Sequence, residues 1–229
     1  MNSNHKSVDC DYIVIGGGIV GGCISYYLSR QNKEVICIDS GEFSGSYSNA
    51  GSIHVQLQSR NFRLNPHLID NLLENLPFYK EAVRAWNRLS LMLNVDFDLR
   101  VNGGLMVADN EEQLKFLYKK CHEEKAAGLD VEIIESNKIK KVYPFLSDKV
   151  VGGEFCAHEG KLNPLVANKS LQEISLRSGV KIMKCETVNH IELKNNEYYI
   201  KTNLREYYCE KVIIAAGSGT GKLAECLNF

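Results

Sequence analysis

Three closely spaced glycines near the start of the chain constrain its fold more than any other feature. They form a Gly-x-Gly-x-x-Gly pattern at residues 16–21, directly after an apolar, β-branched run at residues 11–15. Apolar residues then recur at helical spacing, and residues 35–39 form a second apolar run that ends in an acid, Asp39. The order predicts a strand, a tight turn, a helix and a second strand. Because a helix connects the strands, we expect them to be parallel and buried in an α/β sheet.

A glycine pattern in this context is typical of a turn that binds the pyrophosphate of a dinucleotide. Gly16 would allow the tight turn, Gly18 would let the phosphates approach the backbone, and Gly21 would let the helix pack closely on the strand. The helix N-terminus offers backbone N–H groups and the positive end of its dipole. Asp39 stands where a carboxylate accepts hydrogen bonds from ribose hydroxyls. The alternative, a glycine turn without a ligand, is disfavoured by the complete order of elements.

The composition is that of a globular protein and disfavours several other classes. Hydrophobic residues make up 44% and charged residues 24%, and 27 basic against 28 acidic residues leave a net charge of −1. This balance gives no basic surface for nucleic acid or an anionic membrane. The eight cysteines form no Cys-x-x-Cys pair, so we expect no metal site and reduced thiols that pack as small hydrophobic groups. The apolar run at residues 13–24 is too short for a transmembrane segment and lacks a basic flank, which favours a cytoplasmic protein.

The segment after the second strand distinguishes between the two common dinucleotides. An NAD domain normally continues directly into a third strand–helix unit. Here, residues 44–51 are small and mostly polar and offer backbone N–H groups to a larger cofactor. The next strand of the nucleotide-binding sheet, residues 212–215, returns only after a long run of other material. This inserted-domain layout favours FAD, and an NAD-dependent dehydrogenase is the weaker alternative.

The apolar pattern predicts further elements along the chain. Helices are expected over residues 66–94, where Pro77 should divide them, and after the cap residues Asn110 and Asn163. Asn65 is expected to cap the first of these helices. Strands are expected over residues 131–134, 150–157, 181–193 and 198–209. A hairpin is expected where residues 97–101 and 105–108 flank an Asn-Gly-Gly turn.

Taken together, these segments resemble the FAD-dependent amino-acid and amine oxidoreductases related to D-amino-acid oxidase, glycine oxidase and sarcosine oxidase. The resemblance covers nearly the whole chain and rests on segments in a fixed order, namely residues 13–21, 48–51, 103–108, 159–164, 188 and 212–217. Residues 48–54 are most similar to the opine-oxidase and hydrogen-cyanide-synthase flavoprotein subunits. The implied fold is α/β, with a Rossmann-like FAD-binding domain interrupted by an α+β substrate domain. Residues 1–65 and 181–229 would form the FAD-binding domain, and residues 66–180 the substrate domain.

The resemblance also implies roles for individual residues. The FAD pyrophosphate would be bound by Gly16, Gly17, Gly18, Ile19, Val20 and Gly21. The adenosine ribose would meet Asp39 and Ser40, although Asp39 departs from the glutamate that is commonest at this position. The path toward the flavin would be lined by Ser48, Asn49 and Gly51, with Ala50 between them. The adenine would meet the backbone of Val188, and the adenosine side would be closed by Ala216 and Gly217.

The candidate for a catalytic role is His54, which follows the flavin loop. It would hydrogen-bond the flavin or the substrate, and an ordinary surface or strand histidine is the alternative interpretation. His158 and Glu159 are interpreted as ordinary loop residues. Arg60 and Arg63 are interpreted as solvated arginines rather than as ligands of a substrate carboxylate.

The implied activity is the oxidation of an amine or amino acid by hydride transfer to FAD, which gives an imine. The implied partners are this small-molecule substrate and either a second subunit or an electron acceptor. Family members continue well beyond the length of this chain, so a C-terminal truncation is expected. The alternative function is therefore a non-catalytic fragment, or a split subunit that needs a second polypeptide to complete the flavin site.

Overall fold

The computed structural model describes residues 9–42 and 45–228. The chain folds into two compact units. The first unit contains the residues up to Ala50 and those from Asn163 onward, and the second unit contains Gly51–Leu162. These limits differ from the predicted boundaries at residues 65/66 and 180/181, because the helix that begins at Pro164 packs on the helix after the glycine turn.

The helices and strands follow one another along the chain as expected for an interrupted α/β domain. The helices are α1 (Ile19–Ser29), α2 (Ser59–Leu64), α3 (Ile69–Glu74), α4 (Leu76–Leu93), α5 (Glu111–Ala126), α6 (Ser136–Val142), α7 (Pro164–Arg177) and α8 (Thr220–Glu225). The strands are β1 (Cys10–Ile15), β2 (Val35–Asp39), β3 (Ser52–Ile53), β4 (Gly104–Ala108), β5 (Val131–Glu135), β6 (Gly152–Cys156), β7 (Gly160–Lys161), β8 (Lys181–Lys184), β9 (Val188–Lys194), β10 (Glu197–Thr202) and β11 (Glu206–Ile214). Within the described ranges, every helix is too short or too polar to cross a membrane.

A six-stranded sheet in the order β8-β2-β1-β11-β10-β9 organises the first unit. β8, β2, β1 and β11 run parallel, and β9, β10 and β11 form an antiparallel meander. Asn195 and Asn196 both have a positive φ, as a tight hairpin turn between β9 and β10 requires. The predicted α/β class and the parallel strand–helix–strand unit are confirmed.

Both faces of this sheet are buried, which explains the continuous apolar runs of its central strands. Because side chains alternate along a strand, Ile13 and Ile36 pack on one face while Val14 and Cys37 pack on the other. Burial raises the pKa of the Cys37 thiol to about 11, so this thiol stays protonated and behaves as a small hydrophobic group.

The second unit contains an antiparallel sheet in the order β4-β6-β5 and a short β3–β7 pair. The predicted hairpin before β4 is wrong. Residues 97–101 form no strand, and Arg100 instead exchanges two backbone hydrogen bonds with Lys161, at 2.8 and 2.9 Å. Gly103 turns the chain with a φ of 95°, and its N–H donates to the Glu159 carbonyl rather than closing a two-residue turn. β4 therefore pairs with the distant strand β6.

Two of the three predicted asparagine caps are confirmed. The Asn110 side chain accepts from the Gln113 N–H, and the Asn163 side chain accepts from the N–H groups of the first turn of α7. Asn65 makes no such bond, since its backbone adopts a φ of −133° and a ψ of 52°, and a single 3₁₀ turn follows it. Pro77 divides the helical region as predicted, because it lies in the first turn of α4.

Candidate functional site

The turn between β1 and α1 is shaped by glycines at positions that leave no room for a side chain. Gly16 has a φ of 110°, and its N–H donates to the Ile38 carbonyl at 2.8 Å. A side chain on Gly16 would collide with the carbonyl of Ala215, and one on Gly21 would collide with the carbonyl of Gly16. The turn therefore lies tightly against the ends of β1 and β11, and α1 packs close behind it.

The acid at the end of β2 lies directly against this turn. Ile38 pairs with Ile15, so Asp39 comes immediately beside the glycines, and a side chain on Gly17 would collide with the Asp39 carboxylate. The carboxylate accepts the Gly41 N–H at 3.2 Å. An acid adjacent to the N-terminus of a helix, where N–H groups lack intrahelical acceptors, is the arrangement that binds the ribose and pyrophosphate of a dinucleotide.

The loop after β2 folds over the start of α1 through residues that the sequence analysis did not single out. The Ser46 hydroxyl accepts the Ile19 N–H at 2.9 Å. The buried Gln172 side chain, on α7, donates to the Gly17 carbonyl at 2.9 Å and to the Tyr47 hydroxyl at 3.3 Å. Ser46 belongs to the small, polar segment of residues 44–51, which the sequence analysis singled out as a whole. The position of Gln172 on a helix gives no indication in the sequence that its side chain reaches the glycine turn.

The remaining predicted cofactor residues of the first unit fall into two groups. Ala216 and Gly217 lie two and three residues after the end of β11, the strand beside β1, so they lie at the same carboxyl edge of the parallel sheet as the glycine turn. Val188 is buried at the start of β9, two residues after Glu186, whose N–H donates to the Asp39 carbonyl at 3.0 Å. In open α/β sheets, ligands bind at this carboxyl edge.

The polar loop carries the other predicted residues. The Asn49 side chain donates to the carbonyls of Gly45 and Ser46, at 2.9 and 3.1 Å, and so folds the loop on itself. Ser48 and Ala50 flank Asn49, and both are exposed. Ser40 directly follows β2, and its hydroxyl accepts the Glu42 N–H at 3.3 Å. Val20, in the first turn of α1, is exposed.

In the second unit, His54 is held beside a buried carboxylate. Its Nδ1 lies 3.6 Å from Glu159 Oε1, and the histidine side chain is 58% exposed while that of the glutamate is 9% exposed. The same Glu159 oxygen accepts the N–H groups of Val55 and Gln56, both at 2.9 Å. Glu159 lies in the loop between β6 and β7, as interpreted, and its buried carboxylate holds the backbone of the segment after His54. Gly51, at the start of this segment, is buried and accepts the Leu162 N–H at 2.8 Å.

A second buried polar cluster lies in the same unit and escaped the sequence analysis. Lys120 Nζ lies 2.9 Å from Glu124 Oε2 and 2.8 Å from Glu154 Oε2, and all three side chains are fully buried. The other Glu124 oxygen accepts the Leu57 N–H at 2.6 Å. Lys120 and Glu124 are one helical turn apart on α5. No group of His, Cys, Asp and Glu side chains among the described residues is arranged to hold a metal ion.

The two arginines that were expected to be solvated lie at the surface of α2. Arg60 and Arg63 are both exposed. Neither forms an ion pair within the part of the chain that the structure describes.

Comparison with known proteins relates this arrangement to one family. Residues 11–228 match the DAO family, described as FAD dependent oxidoreductase. Monomeric sarcosine oxidase from Arthrobacter sp. (strain TE1826) is 25% identical over 96% of this chain and 54% of its own length. Glycine oxidase from Bacillus subtilis (strain 168) is 24% identical over 95% of this chain and 56% of its own length. A subunit of opine oxidase from Agrobacterium tumefaciens (strain Ach5) is 22% identical over 96% of this chain and 60% of its own length.

Solved structures share the fold. Glycine oxidase from Geobacillus kaustophilus superimposes with a TM-score of 0.84 and 18% identity, over 96% of this chain and 58% of that one. L-alpha-glycerophosphate oxidase from Mycoplasma pneumoniae, with FAD bound, superimposes with a TM-score of 0.80 and 22% identity, over 95% of this chain and 56% of that one. The chain thus spans little more than half the length of the proteins it matches.

Proposed function

Because the chain belongs to the DAO family of FAD-dependent oxidoreductases, we propose that its first unit binds FAD at the carboxyl edge of β1 and β2. The resemblance to the amino-acid and amine oxidoreductases is confirmed at the level of the family, whose cofactor is FAD. The observation that carries the proposal is the position of the Asp39 carboxylate beside Gly17, where an added Cβ would collide with it, just before the N-terminus of α1. This position puts an acceptor for ribose hydroxyls next to N–H groups that suit a pyrophosphate.

The other residues are assigned the roles that the resemblance to the family implies. Residues 16–21 would hold the pyrophosphate, and Asp39 with Ser40 would hold the ribose. Val188, Ala216 and Gly217 would enclose the adenosine. The place of Ala216 and Gly217 after β11 supports this, as does the hydrogen bond that joins Glu186, two residues before Val188, to Asp39. Residues 48–51 would lead toward the flavin.

We further propose that the substrate is an amine or amino acid, oxidised at the carbon next to nitrogen. FAD, when bound, supplies the two-electron acceptor for this oxidation. The protein has to bind the substrate, orient its C–H bond and keep its nitrogen unprotonated. His54 is our candidate for contact with the substrate. The names of the sarcosine and glycine oxidases support this substrate class, and that of the glycerophosphate oxidase supports an alcohol instead. Buried thiols such as Cys37 support a reducing, cytoplasmic setting.

The cofactor assignment is tested with Gly18→Val. Gly18 has a φ of −70° and a ψ of −174°, an extended conformation that any residue adopts, so the variant should fold. Its side chain would fill the space that a pyrophosphate needs. FAD retention through desalting and quenching of flavin fluorescence should be lost in Gly18→Val. They should persist in the matched control Gly22→Ala, whose added Cβ lies 3.7 Å from the nearest side-chain atom. Equal retention in wild type and Gly18→Val would refute the assignment.

The substrate class is tested by anaerobic reduction of the FAD-loaded protein. Sarcosine, glycine and other amino acids should bleach the flavin absorbance, and glycerol 3-phosphate should not. Bleaching by glycerol 3-phosphate alone would replace the amine by an alcohol as the substrate.

A second candidate is a flavin-binding subunit that acts together with another polypeptide. The observation that favours it is that one relative, from Agrobacterium tumefaciens, is itself named as a subunit of an opine oxidase. Purification from the native cell under mild conditions would decide between the two. Co-elution of flavin absorbance with a second chain at constant stoichiometry supports this second candidate, and a flavin-loaded single chain with turnover contradicts it.

A further inference from the structure

Two buried carboxylates hold the backbone immediately after His54. Glu159 Oε1 accepts the N–H groups of Val55 and Gln56, and Glu124 Oε1 accepts the N–H of Leu57. Three consecutive N–H groups of a segment that lies outside the strands are thus satisfied by charged acceptors. Charge-assisted hydrogen bonds of this kind are about twice as strong as neutral ones. The backbone on the C-terminal side of His54 is therefore held in place by these bonds.

The position of the Glu159 carboxylate is itself fixed by the surrounding backbone. Its second oxygen, Oε2, lies over Gly104, where an added Cβ would collide with it. The Gly103 N–H donates to the Glu159 carbonyl at 2.9 Å, which anchors the same residue at its main chain. The carboxylate is buried, whereas the imidazole beside it is exposed. The geometry thus holds a charge in place and leaves the histidine ring accessible to a ligand.

The two neutral forms of His54 differ in energy, because the Glu159 carboxylate lies 3.6 Å from Nδ1. A proton on Nδ1 of His54 is attracted by the negative charge of Glu159, whereas a lone pair on Nδ1 is repelled by it. We expect this difference to outweigh the preference of a free imidazole for the Nε2–H form, because the charge lies 3.6 Å from Nδ1. The nitrogen that keeps its lone pair is then Nε2.

We infer that Glu159 is a positioning residue that sets the protonated nitrogen of His54, so that Nδ1 carries the proton and Nε2 is left to accept one. The inference rests on the proposed function for its purpose. In an amine oxidation, Nε2 of His54 would take a proton from the substrate ammonium and leave a neutral amine. The imidazolium formed in this transfer would be stabilised by the Glu159 carboxylate.

The test is the ¹⁵N spectrum of the full chain with labelled histidine, recorded well above the ordinary histidine pKa of about 6.5. The His54 resonances are identified by their loss in His54→Gln. In the wild type we expect long-range proton–nitrogen correlations of the Nδ1–H form. In Glu159→Gln, whose amide oxygen can still accept the N–H groups of Val55 and Gln56, we expect conversion to the Nε2–H form.

The chain offers a matched control for this measurement. His190 Nε2 lies 3.4 Å from Glu192 Oε2 on the exposed face of β9, so Glu192→Gln removes the same kind of charge from another histidine. It should move the His190 resonances only. A second variant, Gly104→Ala, keeps the Glu159 charge but displaces its carboxylate, and it should convert His54 to the Nε2–H form as Glu159→Gln does.

The spectra can be recorded without FAD, so they test this inference independently of the proposed function. A wild-type His54 in the Nε2–H form overturns the inference without any variant. An Nδ1–H form that persists in both Glu159→Gln and Gly104→Ala overturns it as well. A protein that shows the Nδ1–H form and its conversion but does not bind FAD supports the inference about Glu159 and contradicts the proposed function alone.

Discussion

The stability of the second unit should fall as the pH rises, because the buried Glu154 holds a proton that the unfolded chain releases. Glu154 belongs to a cluster of one base and two acids. Lys120 is within 2.9 Å of both Glu124 and Glu154, and no side chain of the three is exposed. Burial raises the pKa of Glu154 to about 8, its hydrogen bond to Glu124 acts in the same direction, and the charge of Lys120 acts in the opposite direction. At neutral pH, Glu154 therefore keeps its proton.

The sign and size of the effect follow from this raised pKa. In the unfolded chain Glu154 loses its proton near its ordinary pKa of about 4.3. Between that pH and about 8, the folded state holds a proton that the unfolded state has released. The stabilisation is fully present below the unfolded value and is lost as the pH rises through the folded one. Glu154 should therefore contribute a decrease of about 1.4 kcal/mol to the free energy of unfolding for each pH unit in this window.

Replacing the acid by its neutral isostere should remove this pH dependence. Glu154→Gln has no proton to lose, so its stability relative to wild type should grow by about 1.4 kcal/mol per pH unit between about pH 5 and 7.5. The assay is urea unfolding followed by fluorescence of Trp86, the single tryptophan, which packs edge-to-face on Phe97 in the second unit at 5.6 Å between centroids. The control is Glu132→Gln, an exposed acid on β5.

Parallel curves of unfolding free energy against pH for wild type and Glu154→Gln would refute the reasoning. If wild type and Glu154→Gln show the same slope of unfolding free energy against pH, Glu154 is not the group that binds the proton. If Glu132→Gln changes the slope as much as Glu154→Gln does, the effect belongs to the general charge of the unit rather than to the buried cluster.

Three further predictions concern single residues. Lys120→Met should destabilise the second unit by about 3–5 kcal/mol at neutral pH, because it leaves buried acids without their cation; an unchanged urea midpoint of Trp86 fluorescence would contradict this. Asp39→Ala should weaken FAD binding by about 1–3 kcal/mol in a fluorescence titration, and equal affinity would show that Asp39 only ends a strand. Gly16→Ala should cost at least about 1–3 kcal/mol of stability by circular dichroism, since its φ of 110° and the Ala215 carbonyl leave no room for a side chain; a native melting temperature would be inconsistent with the structure.

The first unit was predictable because its signals are local. The strand, glycine turn, helix and strand of residues 10–39 each follow from residues within the element itself. The same holds for the Asn163 cap of α7, whose side chain bonds N–H groups two and three residues away. The hairpin before β4 failed for the opposite reason. Asn-Gly-Gly marks a turn, but whether the chain folds back on itself depends on β6, a partner that lies more than forty residues further along.

The buried contacts of Glu159 and of the cluster formed by Lys120, Glu124 and Glu154 could not have been predicted from the sequence. A glutamate in a loop or a Lys–Glu pair on a helix is normally solvated. The bond from Val55 to Glu159 spans 104 positions, and that from Leu57 to Glu124 spans 67. Burial at such separations is decided by how the strands and helices pack. On α5, Lys120 and Glu124 lie next to the buried apolar residues Leu117 and Cys121, which are one helical turn apart.

The two units position polar groups by different physical means, and this difference predicts how each responds to its surroundings. In the first unit the glycine turn is set by backbone geometry, since Gly16 and Gly21 leave no space for a side chain, and backbone geometry does not titrate. In the second unit the segment after His54 is held by carboxylates, which act as strong acceptors only while ionised. A change of pH should therefore leave the shape of the glycine turn intact. It should act on the second unit through Glu154 and the lysine that this acid shares with Glu124.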